Sequence, residues 1–438
     1  MKKPYDESDL EKISDGVGTS RRDLLKCLGC MAAAVVVPGV RARALNGVLA
    51  DPKVLEPNPT PPAKNPNWYG FNLLEYFSTD PDWMKYFPYK DDGMFQEDDF
   101  RWIRDWGFNW VRLPMDYRFW TDPQDLFKIR EDKVAPIDRA VRLGDKYGVH
   151  VNVCLHRAPG YCILDIMDEA FTGIHVTKEK TSVFTDAKTR DAFAFQWSYF
   201  AKRYKGIPNE KVSFNLVNEP YDLHAGAEIE ELKKAGKSAE DARQEVSERF
   251  RQQYAQVARA AIDAVRKEDA QRLIVTDGVA GGTQIIPELV DTHILQSCHT
   301  YTPMPVTHYR CEWAMGNALK GSEAPPTWPL KDDKGKVVCD REVLARTFAP
   351  WGGLAGKGVP IHFGEMGCYK HTPPEVVLAW FNDTLSVVRD LGSGFALWNF
   401  RGPFGVVDTE RPGTKFESWH GHQLDRALLT VLQKKMQA

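Results

Sequence analysis

Two glutamates each close an apolar run. Glu219 ends Val-Ser-Phe-Asn-Leu-Val-Asn-Glu-Pro (212–220), and Glu365 ends Val-Pro-Ile-His-Phe-Gly-Glu-Met-Gly (359–367). An apolar run that ends on one carboxyl is what a strand buried on both faces looks like when it presents a reactive group at its carboxyl end. Two carboxyls at one rim can divide the work of breaking an acetal. One gives the departing oxygen its proton, and the other meets the cationic carbon left behind. At ~5–5.5 Å apart the second carboxyl attacks carbon and configuration is retained; at roughly 6.5–9.5 Å a water fits between them and configuration inverts. The donor must hold its proton in the free protein, so burial or the other carboxylate must raise its pKa, and Glu219 is expected to be that donor. The plainer alternatives are a surface acid at 219 and an arginine partner at 365.

Other residues cluster at similar run ends. Arg112, in Asn-Trp-Val-Arg-Leu-Pro, has a guanidinium fork that suits a carboxylate; it would hold Glu365 ionised or make a structural ion pair. Asn218 precedes the acid and could bond a substrate hydroxyl. His156, in Cys-Leu-His-Arg-Ala-Pro-Gly, is either a hydroxyl partner or structural. His299 and Tyr301 lie two apart in Cys-His-Thr-Tyr-Thr-Pro, so an extended segment turns both to one side, where the Tyr hydroxyl could steady a carboxylate. Trp398, in Phe-Ala-Leu-Trp-Asn-Phe, offers a flat face for a sugar ring or simply packs. The pair His420 and His422 lacks a third nearby ligand, and a cap or rim contact is expected there. Gly278, Gly281 and Gly282 do not have phosphate-cradle spacing, and no Gly-x-Ser-x-Gly elbow occurs. No cofactor or metal is therefore expected.

These residues need elements to carry them. Short apolar or β-branched runs recur at Tyr69–Asn72, Asn109–Leu113, Val149–Leu155, Lys211–Val217, Arg272–Thr276, Ile294–Cys298, Val359–Gly364 and Gly394–Phe400. Helical patterns lie over Gln96–Trp106, Pro136–Tyr147, Thr189–Tyr204, Asp241–Lys267, Arg341–Trp351, Pro374–Leu391 and Gln423–Met436. Only Gly278–Thr292, between the fifth and sixth runs, is too short for a clear helix. Strand then helix, eight times over, predicts a single α/β domain, a (β/α)8 TIM barrel; an open doubly wound sheet is the alternative. The polar residues named above fall at or just past the carboxyl ends of the runs, where such barrels place active sites. That placement is the main argument for an enzyme.

The rest of the chain sets bounds. Of 438 residues, 43% are apolar, enough for a sizeable core. A net charge of −3 gives no basic footprint for nucleic acid. Residues 1–44 read as a twin-arginine export signal: Arg21-Arg22 precedes an apolar run from Cys27 to Val40, and Ala42-Arg43-Ala44 offers a cleavage site. That predicts a periplasmic or extracellular protein. Residues 45–66, rich in proline, read as a linker, leaving 67–438 as the catalytic domain with no appended sugar-binding module. No later apolar stretch is long enough to span a bilayer, so the body is expected free of the membrane, without an obligate protein partner. Six cysteines outside the signal (Cys154, Cys162, Cys298, Cys311, Cys339, Cys368) permit disulfides or buried thiols, with no pairing assignable.

Taken in order, Val111-Arg112-Leu113-Pro114, Leu155-His156 with Pro159-Gly160, Asn218-Glu219-Pro220, His299-Thr300-Tyr301, Gly364-Glu365 and Leu397-Trp398 resemble the motifs of glycoside hydrolase family 5, over about residues 68–436. The resemblance implies a retaining (β/α)8 enzyme with Glu219 as acid/base and Glu365 as nucleophile. It also implies that Arg112, His156, Asn218, His299, Tyr301 and Trp398 line the site of the sugar being cleaved, and that the substrate is a carbohydrate. Long stretches at 158–188 and 303–340 would build the cleft walls, so they bear on the substrate rather than the chemistry. A β-glucan endo-hydrolase is expected first. Mannanase, exo-glucanase and β-glucosidase activities are the alternatives, followed by a non-catalytic sugar-binding barrel and a metal or redox enzyme.

Overall fold

The computed structural model describes residues 65–86, 94–167, 169–172, 174–315 and 324–437. The export signal and residues 45–64 of the linker lie outside them. Eight strands form the core: β1 (Tyr69–Asn72), β2 (Trp110–Asp116), β3 (His150–Ala158), β4 (Val212–Asn215), β5 (Ile274–Asp277), β6 (Leu295–Thr300), β7 (Ile361–Met366) and β8 (Phe395–Leu397). Each pairs in parallel with the next, and β8 returns to β1, closing the barrel. The open-sheet alternative is excluded by that closure.

Strand alternation explains why the barrel closes around polar groups. On β2, Val111, Leu113 and Met115 join the apolar layer against the helices, while Arg112 is buried among polar groups inside. On β3, Val151, Val153 and Leu155 pack outward and Asn152 reaches Ser213 on β4 inside, at 2.7 Å. Period-two patterning thus feeds two environments at once. At one end of the barrel Trp68 lies 4.3 Å from His150, and Trp110 lies 4.8 Å from His362, ring centre to ring centre.

The outer helices are α1 (Glu97–Asp105), α2 (Glu131–Tyr147), α3 (Ala187–Arg203), α4 (Ala225–Lys234), α5 (Ala239–Glu268), α6 (Arg341–Ala355), α7 (Pro374–Asp390) and α8 (Arg426–Gln437). Asp186, Ser238 and Asp340 cap α3, α5 and α6 by accepting from the backbone N–H of Thr189, Asp241 and Val343. Such a cap is worth about 1 kcal/mol.

The structure departs from the expected elements in four places. First, α2 begins at Glu131, upstream of Pro136; the proline costs one bond near the helix start, and Val134 and Ile137 still bury. Second, no full helix joins β5 to β6. A turn at Val279–Gly282, with Ala280 and Gly281 left-handed, is followed by a 3-10 segment, Pro287–Thr292. Third, α5 has 30 residues, about 45 Å of helix, and with α4 forms a helical pair directly after Glu219. Fourth, α8 starts at Arg426 because Glu417–Trp419 and His422–Leu424 pair as a hairpin.

Candidate active site

Glu219 and Glu365 reach the barrel mouth by different means. β4 ends at Asn215, and the chain continues extended: Leu216 N–H donates to Val275 O, and Asn218 N–H to Leu155 O. Glu219 then adopts a left-handed backbone, φ 47°, which costs an ordinary side chain energy. Two bonds hold it there. Its N–H donates to Asp277 Oδ2 at 3.1 Å, and Tyr161 Oη donates to its carbonyl at 2.7 Å. Glu365 arrives through a bulge: Phe363 pairs with Cys298 and Glu365 with His299, leaving Gly364 as the extra residue. With strict alternation His362 inward and Phe363 outward would send Glu365 outward; the added residue turns it to the interior. A Cβ at Gly364 would sit 2.4 Å from Ser297 Oγ, so only glycine fits the bulge undisturbed.

The two carboxyls and His299 each bring one oxygen or nitrogen within 4.8 Å of the others. Glu365 is 3% exposed, while the Glu219 side chain is 16% exposed. Arg112 Nη1 donates to Glu365 Oε1 at 2.5 Å, and Tyr301 Oη donates to Oε2 at 3.0 Å. Contrary to its expected place at a strand end, Arg112 lies in mid-strand, and its guanidinium rises through the interior. It also donates to Asn72, Asn215, Asn218 and Asp277. Burial pushes the Glu365 carboxyl up to about 7; the cations His299 and Arg112 oppose the rise, and Glu219 adds to it. The resolved upward shift thus falls on the more buried glutamate, where the sequence reading expected it at Glu219.

His299 Nδ1 lies 2.9 Å from Glu219 Oε1. Although burial opposes it, the carboxylates of Asp277, Glu365 and Glu219 push the ring up to about 10. A cationic ring makes Glu219, His299 and Glu365 a poor seat for a metal ion and a good one for proton traffic. His156 is held well below its ordinary pKa by burial and by the positive Arg112 and Arg157, so its ring is neutral. Its Nδ1 is buried without a protein partner. Asn218 is similar: Oδ1 accepts from Arg112, while Nδ2 is buried with no partner. Trp398 follows β8 with its ring centre 5.7 Å from that of His156 and 5.5 Å from that of Phe77. All eight residues named from the sequence therefore meet at one end of the barrel.

The model for Cellulase (glycosyl hydrolase family 5) matches residues 61–402. The chain belongs to glycosyl hydrolase family 5. Endoglucanase C of Acetivibrio thermocellus is 22% identical over 330 residues, 71% of this chain and 85% of that protein. Cellodextrinase A of Ruminococcus flavefaciens is 24% identical over 295 residues, 66% and 74% of the two chains. A crystal structure of a glycoside hydrolase is 33% identical, with a TM-score of 0.69 over 84% of this chain and 99% of that one. Cel5A of Thermotoga maritima, solved with mannotriose, shares the fold at 18% identity and a TM-score of 0.57, covering 83% and 97%.

This family 5 chain holds polar residues that the sequence reading passed over. Asn72 Nδ2 donates to Leu397 O at 2.8 Å and to Gly364 O at 3.1 Å, bracing the bulge. Asn215 and Asp277 bond to each other at 3.0 Å beneath Arg112. Asp277 ends β5, one residue past the fifth apolar run Arg272–Thr276, so it is a strand-end residue like the others. The long stretch after β3 is tied down by Arg157, which donates to Asp165 at 3.2 Å and Glu179 at 3.0 Å, and by Tyr117 and the Gly160 N–H, which both donate to Glu179. His422 contacts Asp408 at 2.7 Å and His420 stacks on Trp102, so this pair serves the hairpin.

Proposed function

We propose that this family 5 hydrolase cleaves β-glucan-type chains with retention, Glu219 acting as acid and then base and Glu365 as nucleophile. The observation that carries the proposal is the approach of the two carboxyls to within 4.8 Å, too close for an intervening water and short enough for direct attack. The mechanism needs one proton between the two carboxyls. Arg112 and Tyr301 donate to Glu365 and orient it as the nucleophile, and the mechanism requires the transferable proton on Glu219. As the glycosidic bond breaks, Glu219 gives that proton to the departing oxygen and a Glu365 oxygen bonds to the anomeric carbon. Glu219 then takes a proton from water. The water oxygen bonds to the same carbon, and the bond to Glu365 breaks.

Asn218 Nδ2 and the His156 ring are proposed to meet sugar hydroxyls, and Trp398 to underlie the ring. An endo-acting β-glucanase is favoured by the named endoglucanase relative, and the cellodextrinase keeps short oligosaccharides in view. A panel of β-glucans, mannan, xylan and aryl glycosides tests the substrate. Azide added to Glu365→Gly tests the roles: an α-glycosyl azide from a β-glycoside supports Glu365 as nucleophile, and no rescue, or a β-azide, overturns it. Export is proposed from Arg21-Arg22 and the apolar run that follows. Fusing residues 1–44 to a folded reporter tests it, with loss of export expected when both arginines become lysine.

A further inference from the structure

The geometry points to Asp277 as a positioning residue that, through His299, decides which oxygen of Glu219 carries the transferable proton. This rests on the roles proposed above for Glu219 and Glu365. Asp277 has no exposed surface and sits where four elements meet. Its Oδ1 accepts from Asn215 on β4 at 3.0 Å. Its Oδ2 accepts from Arg112 on β2 at 3.0 Å and from the Glu219 N–H at 3.1 Å. The same Oδ2 lies at ion-pair distance, 3.3 Å, from His299 Nε2 on β6, a buried nitrogen that makes no hydrogen bond of regular geometry and has this carboxylate as its charged neighbour.

The ring's other nitrogen faces the acid/base, at 2.9 Å from Glu219 Oε1 and 3.5 Å from Glu365 Oε2. Gly282 leaves room for it: a Cβ there would strike the His299 side chain at 2.5 Å. His299 therefore stands between three carboxylates, with Arg112 as the nearby fixed cation and His156 and His362 as neutral rings.

The two neutral forms of the ring both fail here. With the proton on Nδ1, a bare Nε2 would face the Asp277 carboxylate, lone pair against lone pair. With the proton on Nε2, a bare Nδ1 would draw the proton of Glu219 toward itself and away from the substrate. Only the doubly protonated ring suits both neighbours, turning a positive N–H edge to the Asp277 carboxylate on one side and donating to Glu219 Oε1 on the other. Oε1 is then occupied as an acceptor. The proton bound for the leaving group must sit on Oε2. Asp277 supplies the negative charge that keeps the ring in that form through both proton transfers, while holding the Glu219 backbone in its left-handed conformation.

The test is Asp277→Asn, which keeps size and an acceptor oxygen but removes the charge. On cellotetraose, whose leaving group needs the proton, kcat/KM is expected to fall by about 100-fold or more. On 2,4-dinitrophenyl β-cellobioside, whose leaving group needs none, it is expected to fall by less than about tenfold. A residue that only braced the fold would depress both equally, and an equal loss overturns the proposal. Nitrogen NMR of His299 in the wild-type protein needs no variant. Both ring N–H protons should persist well above pH 7 and, in Asp277→Asn, be lost near the ordinary histidine range. A wild-type ring that is neutral at pH 7 overturns the proposal even if the variant does not fold. Failure of the parent reading would look different: Glu219→Gln would keep wild-type rates on cellotetraose.

Discussion

At the scale of single residues, the proposed mechanism needs one proton between two carboxyls. Because burial lifts Glu365 to about 7, that proton is present below neutrality and lost as pH rises through about 7. Hydrolysis is therefore expected to decline over that range, and a kcat/KM profile level to pH 9 would contradict it. Glu219→Gln and Glu365→Gln should each lower turnover by about 1000-fold or more while the circular dichroism spectrum stays native. Asn218→Ala should raise KM and lower kcat on oligosaccharides if its unpartnered Nδ2 is, as proposed, a donor to substrate; unchanged constants would remove that role. Seven of the eight residues that meet at the mouth were legible because each ends or follows an apolar run, a pattern that reports strand position directly; Arg112, in mid-strand, was legible from its charge inside such a run. Asn72, Asn215 and Asp277 were not read out. Asp277 ends its strand and was open to the same rule, whereas Asn72 and Asn215 lie inside the barrel, where a polar residue in a short strand looks like any break in hydrophobicity; the shared partner Arg112 is 40 to 165 residues away from the three.

Among the elements, the eight parallel strands and most of the helices followed from period and spacing. What did not follow were irregularities set by tertiary contacts. Pro136 looked like a helix start, yet packing of Val134 and Ile137 extends α2 back to Glu131. The hairpin before α8 is two strands of three residues each, too short for alternation to show. The bulge at Gly364 is invisible to any count along the chain because it exists only in register with β6. It carries a prediction. Gly364→Ala places a methyl 2.4 Å from Ser297 Oγ, so the hydroxyl must turn aside within the packed interior or the strands must part. A displacement of order 1 Å at Glu365 costs about 100-fold in kcat. The paired variant Gly364→Ala with Ser297→Gly should recover much of that loss; no recovery would place the cause elsewhere.

For the whole molecule, the polar interior couples stability to pH. His299, raised to about 10 by its carboxylate neighbours, contributes stability that is complete below its ordinary value near 6.5 and lost as pH rises through 10. Asp277, lowered to about 2 by His299 and Arg112, contributes stability that is lost as pH falls through 2. The thermal midpoint should accordingly decline between pH 7 and 10, and the Asp277→Asn protein should show a shallower decline. The six described cysteines tell a separate story. All are buried and none is bridged, and burial pushes the thiols of Cys162 and Cys368 up to about 12. Thiols sealed and protonated in this way neither require an oxidising compartment nor fear a reducing one. The same folded enzyme should emerge from cytoplasm, periplasm or culture medium, indifferent to dithiothreitol in the assay and slow to age through sulfur chemistry.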